Sequence, residues 1–310
     1  VNTTKIEWAE ATWNPVTGCT KISPGCEHCY AERMAKRLRG RCGYPADEPF
    51  RVTVHPDRLD EPRRWRKPRL IFVCSMGDLF HEDVPLDVIW QVYRVMRDTP
   101  RHRYMVLTKR PERMADIVCR RVAWESLLPN VWLAVTVEGP EQLWRVPLLL
   151  QCPAEVRFVS HEPALVGPVD WAPWLPDAPG QNKGDIHPCG IDWLISGGES
   201  GPGARPTHPD VFRADRDQCT AAEVPFFFKQ WGEWRPPLEG ESYDTSRGRA
   251  GRPPAYIVGR DGTCRCFESD DIDHGTVMLR VGKKSAGRLL DGVEHNGMPV
   301  RYVEQGGEGE

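Results

Sequence analysis

The chain has 310 residues, a formal net charge of −3 and a pI near 6.4, so it is not a globally basic nucleic-acid binder. A hydrophobic content of 40% with 27% charged residues is ordinary for a water-soluble fold, and no apolar run approaches the roughly 18 residues a membrane span needs. The start, Val1-Asn-Thr-Thr-Lys-Ile-Glu-Trp8, lacks a basic, apolar leader, and the odd count of 11 Cys argues against a disulfide framework; the expected setting is the cytoplasm.

The first distinctive segment is Gly18-Cys-Thr-Lys-Ile-Ser-Pro-Gly-Cys-Glu-His-Cys-Tyr30. Cys19, Cys26 and Cys29 share one polar loop broken by Gly and Pro, the pattern of thiolates that chelate iron–sulfur clusters. Three ligands leave one coordination position open, which separates a reactive centre from a structural one. Two other readings stand beside it: a zinc site closed by Cys42 or His28, and three unrelated thiols. A helix is expected to start at Tyr30.

Short apolar runs then recur at Leu70–Cys74, Tyr104–Thr108, Val131–Thr136, Val156–Ser160, Asp192–Ser196 and Pro225–Lys229. Runs this short and this apolar read as strands buried on both faces. Pro85–Met96 has apolar residues at helical spacing behind a Pro, and such alternation implies parallel βα units. Cys74, Cys119, Cys152 and Cys219 lie in or beside apolar stretches and read as small core residues.

Each apolar run ends in polar residues: Ser75 and Asp78, Lys109, Thr136 and Glu138, His161 and Glu162, Gly197-Gly198-Glu199, and Lys229-Gln230. In a parallel barrel the functional groups gather at the C-terminal strand ends; an open doubly wound sheet gathers them mainly at its switch point. Repetition over six runs favours an α/β fold with a parallel (β/α) barrel, partial or full and TIM-like. Residues 1–237 would form that barrel and 238–310 a C-terminal extension packed on it. Within the extension, Leu238–Arg252 reads as a loop, Pro254 onward as a strand and turn, Val277–Val281 as a strand and Gly306–Glu310 as a tail.

His161 beside Glu162 suits acid–base work or ligand orientation, and equally a structural hydrogen bond. Lys109-Arg110 and Lys229-Gln230 suit a carboxylate or phosphate. Gly197-Gly198 allows close backbone approach, with Glu199 as acceptor, or marks a tight turn around a solvated acid. Two basic runs, Arg33 to Arg41 and Arg63-Arg-Trp-Arg-Lys67, suit a nucleic-acid backbone with Trp65 as a stacking surface, or are exposed faces. Two thiols in Cys264-Arg-Cys266 are too few for a second metal.

Cys26-x-x-Cys29-Tyr-Ala, ahead of a parallel barrel, resembles the radical S-adenosylmethionine superfamily, although six residues rather than three separate Cys19 from Cys26. Trp13-Asn-Pro-Val-Thr-Gly-Cys19, Ser75-Met-Gly-Asp-Leu-Phe-His81, Leu107-Thr-Lys-Arg-Pro111, His161-Glu-Pro163, Gly197 to Gly201, Phe228-Lys-Gln-Trp-Gly232 and Lys284 to Gly292 resemble, over almost the whole chain, a phage and prophage three-cysteine-motif family without an assigned substrate. The superfamily resemblance implies that Cys19, Cys26 and Cys29 hold a [4Fe–4S] cluster and that adenosylmethionine binds its open iron. It further implies a 5′-deoxyadenosyl radical that abstracts hydrogen from substrate. From their residue types and places at strand ends, His161, Glu162, Lys109 and Lys229 are the catalytic candidates. The cofactor-binding candidates are Ser75, Asp78, Thr136, Glu138, Gly197, Gly198 and Glu199, with Ser75 and Asp78 competing against Glu199 for the methionine amino group. The substrate expected is a nucleobase or nucleic acid. The alternative is a non-catalytic, metal-stapled barrel that binds nucleic acid or a partner protein.

Overall fold

The computed structural model describes residues 4, 6–121, 128–176, 190–241, 255–266 and 275–299. The expected loop beyond residue 241 and the expected tail from 306 lie outside the described residues. Two compact units are found, Val1–Thr136 with Trp144–Val159 and Val137–Leu143 with Ser160–Glu310.

The first unit holds β1 (Ala11–Trp13), β2 (Val16–Thr17), α1 (Tyr30–Arg37), β3 (Thr53–Val54), α2 (Glu61–Arg64), β4 (Leu70–Val73), α3 (Leu86–Asp98), β5 (Arg103–Thr108), α4 (Pro111–Arg121), β6 (Val131–Thr136), α5 (Arg145–Leu150) and the first residues of β7 (Arg157–His161). β4 pairs in parallel with β1 on one side and β5 on the other, and β5 with β6; β2 and β3 form a separate antiparallel pair. All six residues of β6 are buried, as expected of a parallel strand covered on both faces. The expected helix is α3: Val88, Ile89, Val92, Tyr93, Val95 and Met96 face inward at helical spacing, Pro85 precedes the first turn and Arg97 closes the last. Ala31 and Ala35 anchor α1 against Tyr44 and Met76, with Cys29, Met34, Leu38 and Phe50 around them.

The second unit holds the end of β7, β8 (Trp193–Gly197), α6 (Pro209–Ala221), β9 (Phe226–Gln230), β10 (Trp234–Arg235), β11 (Ala255–Val258), β12 (Cys264–Cys266), β13 (Thr276–Arg280) and α7 (Lys283–Ala286). β8 and β9 pair in parallel, with a register shift at Ser196/Gly197. α6 starts behind Pro209 and lays Phe212 against Phe228 and Trp231. A C-terminal segment covers the outer edge of β9: Phe228 N donates to His295 O and Gly297 N to Phe226 O. β10, β13, β11 and β12 form a small antiparallel sheet in that order.

The seven main strands run in the order β1-β4-β5-β6-β7-β8-β9. Apart from β2 and β3, which pair separately, this is chain order, with no reversal of the kind that makes a switch point in a doubly wound sheet. The fold is therefore α/β, a partial parallel (β/α) barrel. All six expected strands lie within a residue or two of the observed ones, and the strand expected at Val277–Val281 is β13. β1 escapes the sequence because three residues, Ala-Thr-Trp, make no apolar run.

Candidate functional site: a three-thiol loop and two polar strand ends

In the first unit, the thiol loop is fixed by backbone before it reaches its first cysteine. Asn14 Oδ1 accepts from Met76 N at 2.9 Å and Ser75 Oγ at 3.3 Å. Gly18 N donates to Met76 O, Gly18 bridges Gly77, and Cys19 N donates to Phe50 O at 3.1 Å. Pro24–Cys26 form one tight turn, and Cys29 sits at the N-terminus of α1. All three thiols are free and half-buried, whereas Cys74, Cys152 and Cys219 are buried, as expected of core thiols, and Cys119 is half-buried.

Two cations attend the loop. Arg110, just past β5, donates through Nη1 to Cys19 Sγ at 3.2 Å. Its Nη2 donates to Thr20 Oγ1 at 2.7 Å, and its Nε to Glu82 at 2.8 Å. Lys109 Nζ donates to Thr136 Oγ1 at 3.3 Å. Burial, helped by the nearby Asp78 charge and opposed by Arg110, pushes the Cys19 thiol up to about 11. At Cys26 burial acts the same way, but the Lys109 charge and hydrogen bonds from Ile22 and Ser23 outweigh it and hold the thiol below its ordinary value.

Asp78 is engaged by its own chain. It accepts from Thr108 Oγ1 at 2.7 and 2.9 Å, from Lys109 N at 3.1 Å, from Phe80 N at 3.0 Å and from Arg110 Nη1 at 3.4 Å. These contacts tie the end of β4 to the end of β5.

Among the described residues, no three His, Cys, Asp or Glu side chains converge closely enough to hold a single metal ion. A tetrahedral zinc with Zn–S near 2.3 Å needs sulfurs roughly 3.8 Å apart. The closed zinc site with Cys42 or His28 is thus not assembled, and Cys42 is exposed in a turn with φ 51°. A four-iron cube seats each thiolate on a different iron and spaces them more widely than one ion does. Three free, half-buried thiols on one loop, two of them under cationic side chains, fit that group in donor chemistry.

In the second unit, two polar groups form at strand ends. Glu162, just past β7, takes Lys229 Nζ at 2.7 Å and Gln230 Nε2 at 3.0 Å, and Gln230 Oε1 is buried without a partner among the described residues. His161 and Asp215 are wholly buried, with His161 Nδ1 2.7 Å from Asp215 Oδ2. Asp215 also accepts from Ser196 Oγ at 2.6 Å and Trp171 Nε1 at 2.7 Å. His161 is thereby held toward α6, while Glu162 joins Lys229 and Gln230.

Gly197 and Gly198 differ in role. A Cβ on Gly198 would lie 2.1 Å from Trp231 O, whereas one on Gly197 would meet nothing closer than 3.3 Å. Glu199 receives Arg205 on both oxygens, at 2.7 Å from Nη2 and 2.9 Å from Nε, and Arg205 N at 2.8 Å. Glu138, past β6, is buried. Sequence reasoning pointed to Lys109 and missed the Arg110–Cys19 contact; it missed Asp215 altogether, because a lone Asp in a helix carries no local mark.

A partial parallel barrel that carries a three-thiol loop defines the class. The chain belongs to the family described as "Protein of unknown function (DUF5131)", whose model matches residues 3–299. No curated protein matches it. Among solved structures, it is similar to a cysteine-to-serine mutant of spore photoproduct lyase at 13% identity, covering 99% of this chain and 77% of that one, with a TM-score of 0.43. A double mutant of that lyase with bound AdoMet and dinucleoside spore photoproduct matches at 12% identity, with 99% and 77% covered and a TM-score of 0.43. The lyase complexed with dinucleoside spore photoproduct matches at 9%, with 87% and 72% covered and a TM-score of 0.41. No helix of the described residues is long and apolar enough to cross a membrane.

Proposed function

We propose that this protein is an iron–sulfur enzyme of the radical S-adenosylmethionine type, working in the cytoplasm and of phage or prophage kind. Cys19, Cys26 and Cys29 would hold a [4Fe–4S] cluster, which when bound supplies one electron for reductive cleavage of adenosylmethionine. The observation that carries this is the loop itself: three free, half-buried thiols, a guanidinium donating to one and an ammonium lowering the pKa of another. Arg110 and Lys109 offset the negative charge that three thiolates bring. Ser75, Thr136, Glu138, Gly197, Gly198 and Glu199 are the proposed adenosylmethionine contacts. Asp78 and Glu199 remain competitors for the amino group: Asp78 already accepts from Thr108, Lys109 and Phe80, and Glu199 from Arg205 on both oxygens. Glu162 and Lys229, an ion pair at strand ends, are the proposed groups that hold substrate.

The proposed substrate is a nucleobase or nucleic acid. The basic run at and after α1 supports it, because Lys36, Arg37, Arg39 and Arg41 are exposed. The second basic run supports it less: Arg63 is paired to Asp60 and Asp98, and the Trp65 ring already packs against His102 and Arg69.

One observation favours the other class, a metal-stapled barrel that binds a nucleic acid or a partner protein: Glu199 is closed into hydrogen bonds with Arg205, and His161 Nδ1 is held by Asp215. Anaerobic reconstitution with iron and sulfide, followed by EPR with and without adenosylmethionine, separates the two. A reducible cluster signal that changes on adding adenosylmethionine and is lost in Cys26→Ala is expected. Zinc uptake, or a cluster indifferent to adenosylmethionine, selects the staple.

A further inference from the structure

We propose that Arg110 is a positioning residue for the cluster ligand Cys19, and that its hydrogen bond to the Cys19 sulfur raises the reduction potential of the bound group. This rests on the cluster reading of the three thiols.

The guanidinium is held on every side. Nε donates to Glu82 at 2.8 Å, Nη1 lies 3.4 Å from Asp78, and Nη2 reaches both the hydroxyl and the carbonyl of Thr20, at 2.7 and 3.3 Å. The Arg110 backbone N is fixed in turn by Thr108 Oγ1 at 2.9 Å, and Thr20 Oγ1 is also 2.8 Å from His81 Nε2. What remains of the fork points at Cys19 Sγ, 3.2 Å away. The residue is 8% exposed, so water competes little for these donors. All five N–H groups of a guanidinium are used by this geometry, which a lysine has too few donors to copy.

The direction of the effect follows from charge. Adding an electron makes a thiolate-held cluster more negative, and a fixed cation donating to a ligand sulfur stabilises that state. Removing Arg110 also exposes the charge of Asp78 to Cys19, which acts in the same direction. A purely architectural Arg110 would change how much cluster is bound without changing the potential of what binds.

The test is an EPR-monitored redox titration of reconstituted wild type, Arg110→Gln and Arg110→Lys, each after an iron and sulfide assay. The expected result is a midpoint more negative than wild type in Arg110→Gln, with Arg110→Lys between the two because it restores charge without the fork. Variants that load cluster and share the wild-type midpoint overturn the proposal. If Arg110→Gln loads none, Arg110→Lys decides: a midpoint below wild type supports the inference and an equal one overturns it. A wild-type protein that takes up no iron and sulfide overturns the enzyme reading itself, and the metal assay reveals this before any titration.

Discussion

Gly18 passes so close to Arg51 that a Cβ on it would lie 2.2 Å from the Arg51 carbonyl oxygen. Its φ of +86° is also a conformation that only glycine adopts without strain. The peptide after it carries Cys19, so this close passage sets where the first thiol stands. Gly18→Ala is expected to push the loop away from residues 50–51 and lower iron retained after reconstitution at least several-fold. It should also cost more than 1 kcal/mol of stability, since strain and a backbone clash act together. Iron assay and urea unfolding check both. Full retention of iron would mean the loop is not positioned by this contact.

Among the described residues, Asp215 is the only partner of three buried donors: His161 Nδ1, Ser196 Oγ and Trp171 Nε1. Asp215→Ala leaves all of them without an acceptor, and each buried polar group so orphaned costs about 1–3 kcal/mol. The expected loss is about 3 kcal/mol or more, measured by denaturant unfolding. If His161 serves the architecture, His161→Gln should keep cluster binding and turnover at wild-type levels while losing stability. A variant as stable as wild type but inactive would return His161 to the catalytic set.

Six of the seven main strands are legible in the sequence because strands buried on both faces leave nearly continuous apolar runs, as in Val131–Thr136. The three thiols are legible because their spacing within one loop is itself the signal. Partners distant in the chain are not. Arg110 is 91 residues from Cys19, and Asp215 is 54 from His161; only the sheet and α6 bring them together. Asp78 shows the limit in the other direction. An acid at a strand end reads as a ligand, yet here it is bound to the Thr108 hydroxyl and the Lys109 backbone. Sequence gives the residue type but not whether its lone pairs are already filled.

Gly198 and Gly232 face each other's neighbours: a Cβ on Gly198 would meet Trp231 O at 2.1 Å, and one on Gly232 would meet Glu199 O at 2.1 Å. The two glycines let the turn after β8 lie directly on the turn after β9. Gly198→Ala is expected to destabilise by roughly 2 kcal/mol or more through displaced backbone. Gly240 is the control. Its φ is +75° but nothing lies within 4 Å of its Cβ position, so Gly240→Ala carries only the cost of strain, about 1 kcal/mol. Equal losses in the two variants would show that the close approach is relaxed at little cost.

His55 is buried with Nε2 2.8 Å from Thr17 Oγ1, and a Cβ on Gly43 would lie 2.8 Å from its Nδ1. Burial, and after it the charge of Arg58, lower its pKa to about 4 against the opposing pull of Asp57. Folding therefore favours the neutral ring. The stability that His55 contributes is full above its ordinary value near 6.5 and is lost as pH falls toward 4, up to about 3 kcal/mol. His55→Gln, which retains a donor for Thr17 and cannot take up a proton, should flatten the fall in unfolding free energy between pH 6.5 and 4 while costing stability at pH 7. Urea unfolding of both proteins across that range is the measurement. Parallel pH profiles would mean that His55 is protonated as readily in the folded chain as in the unfolded one.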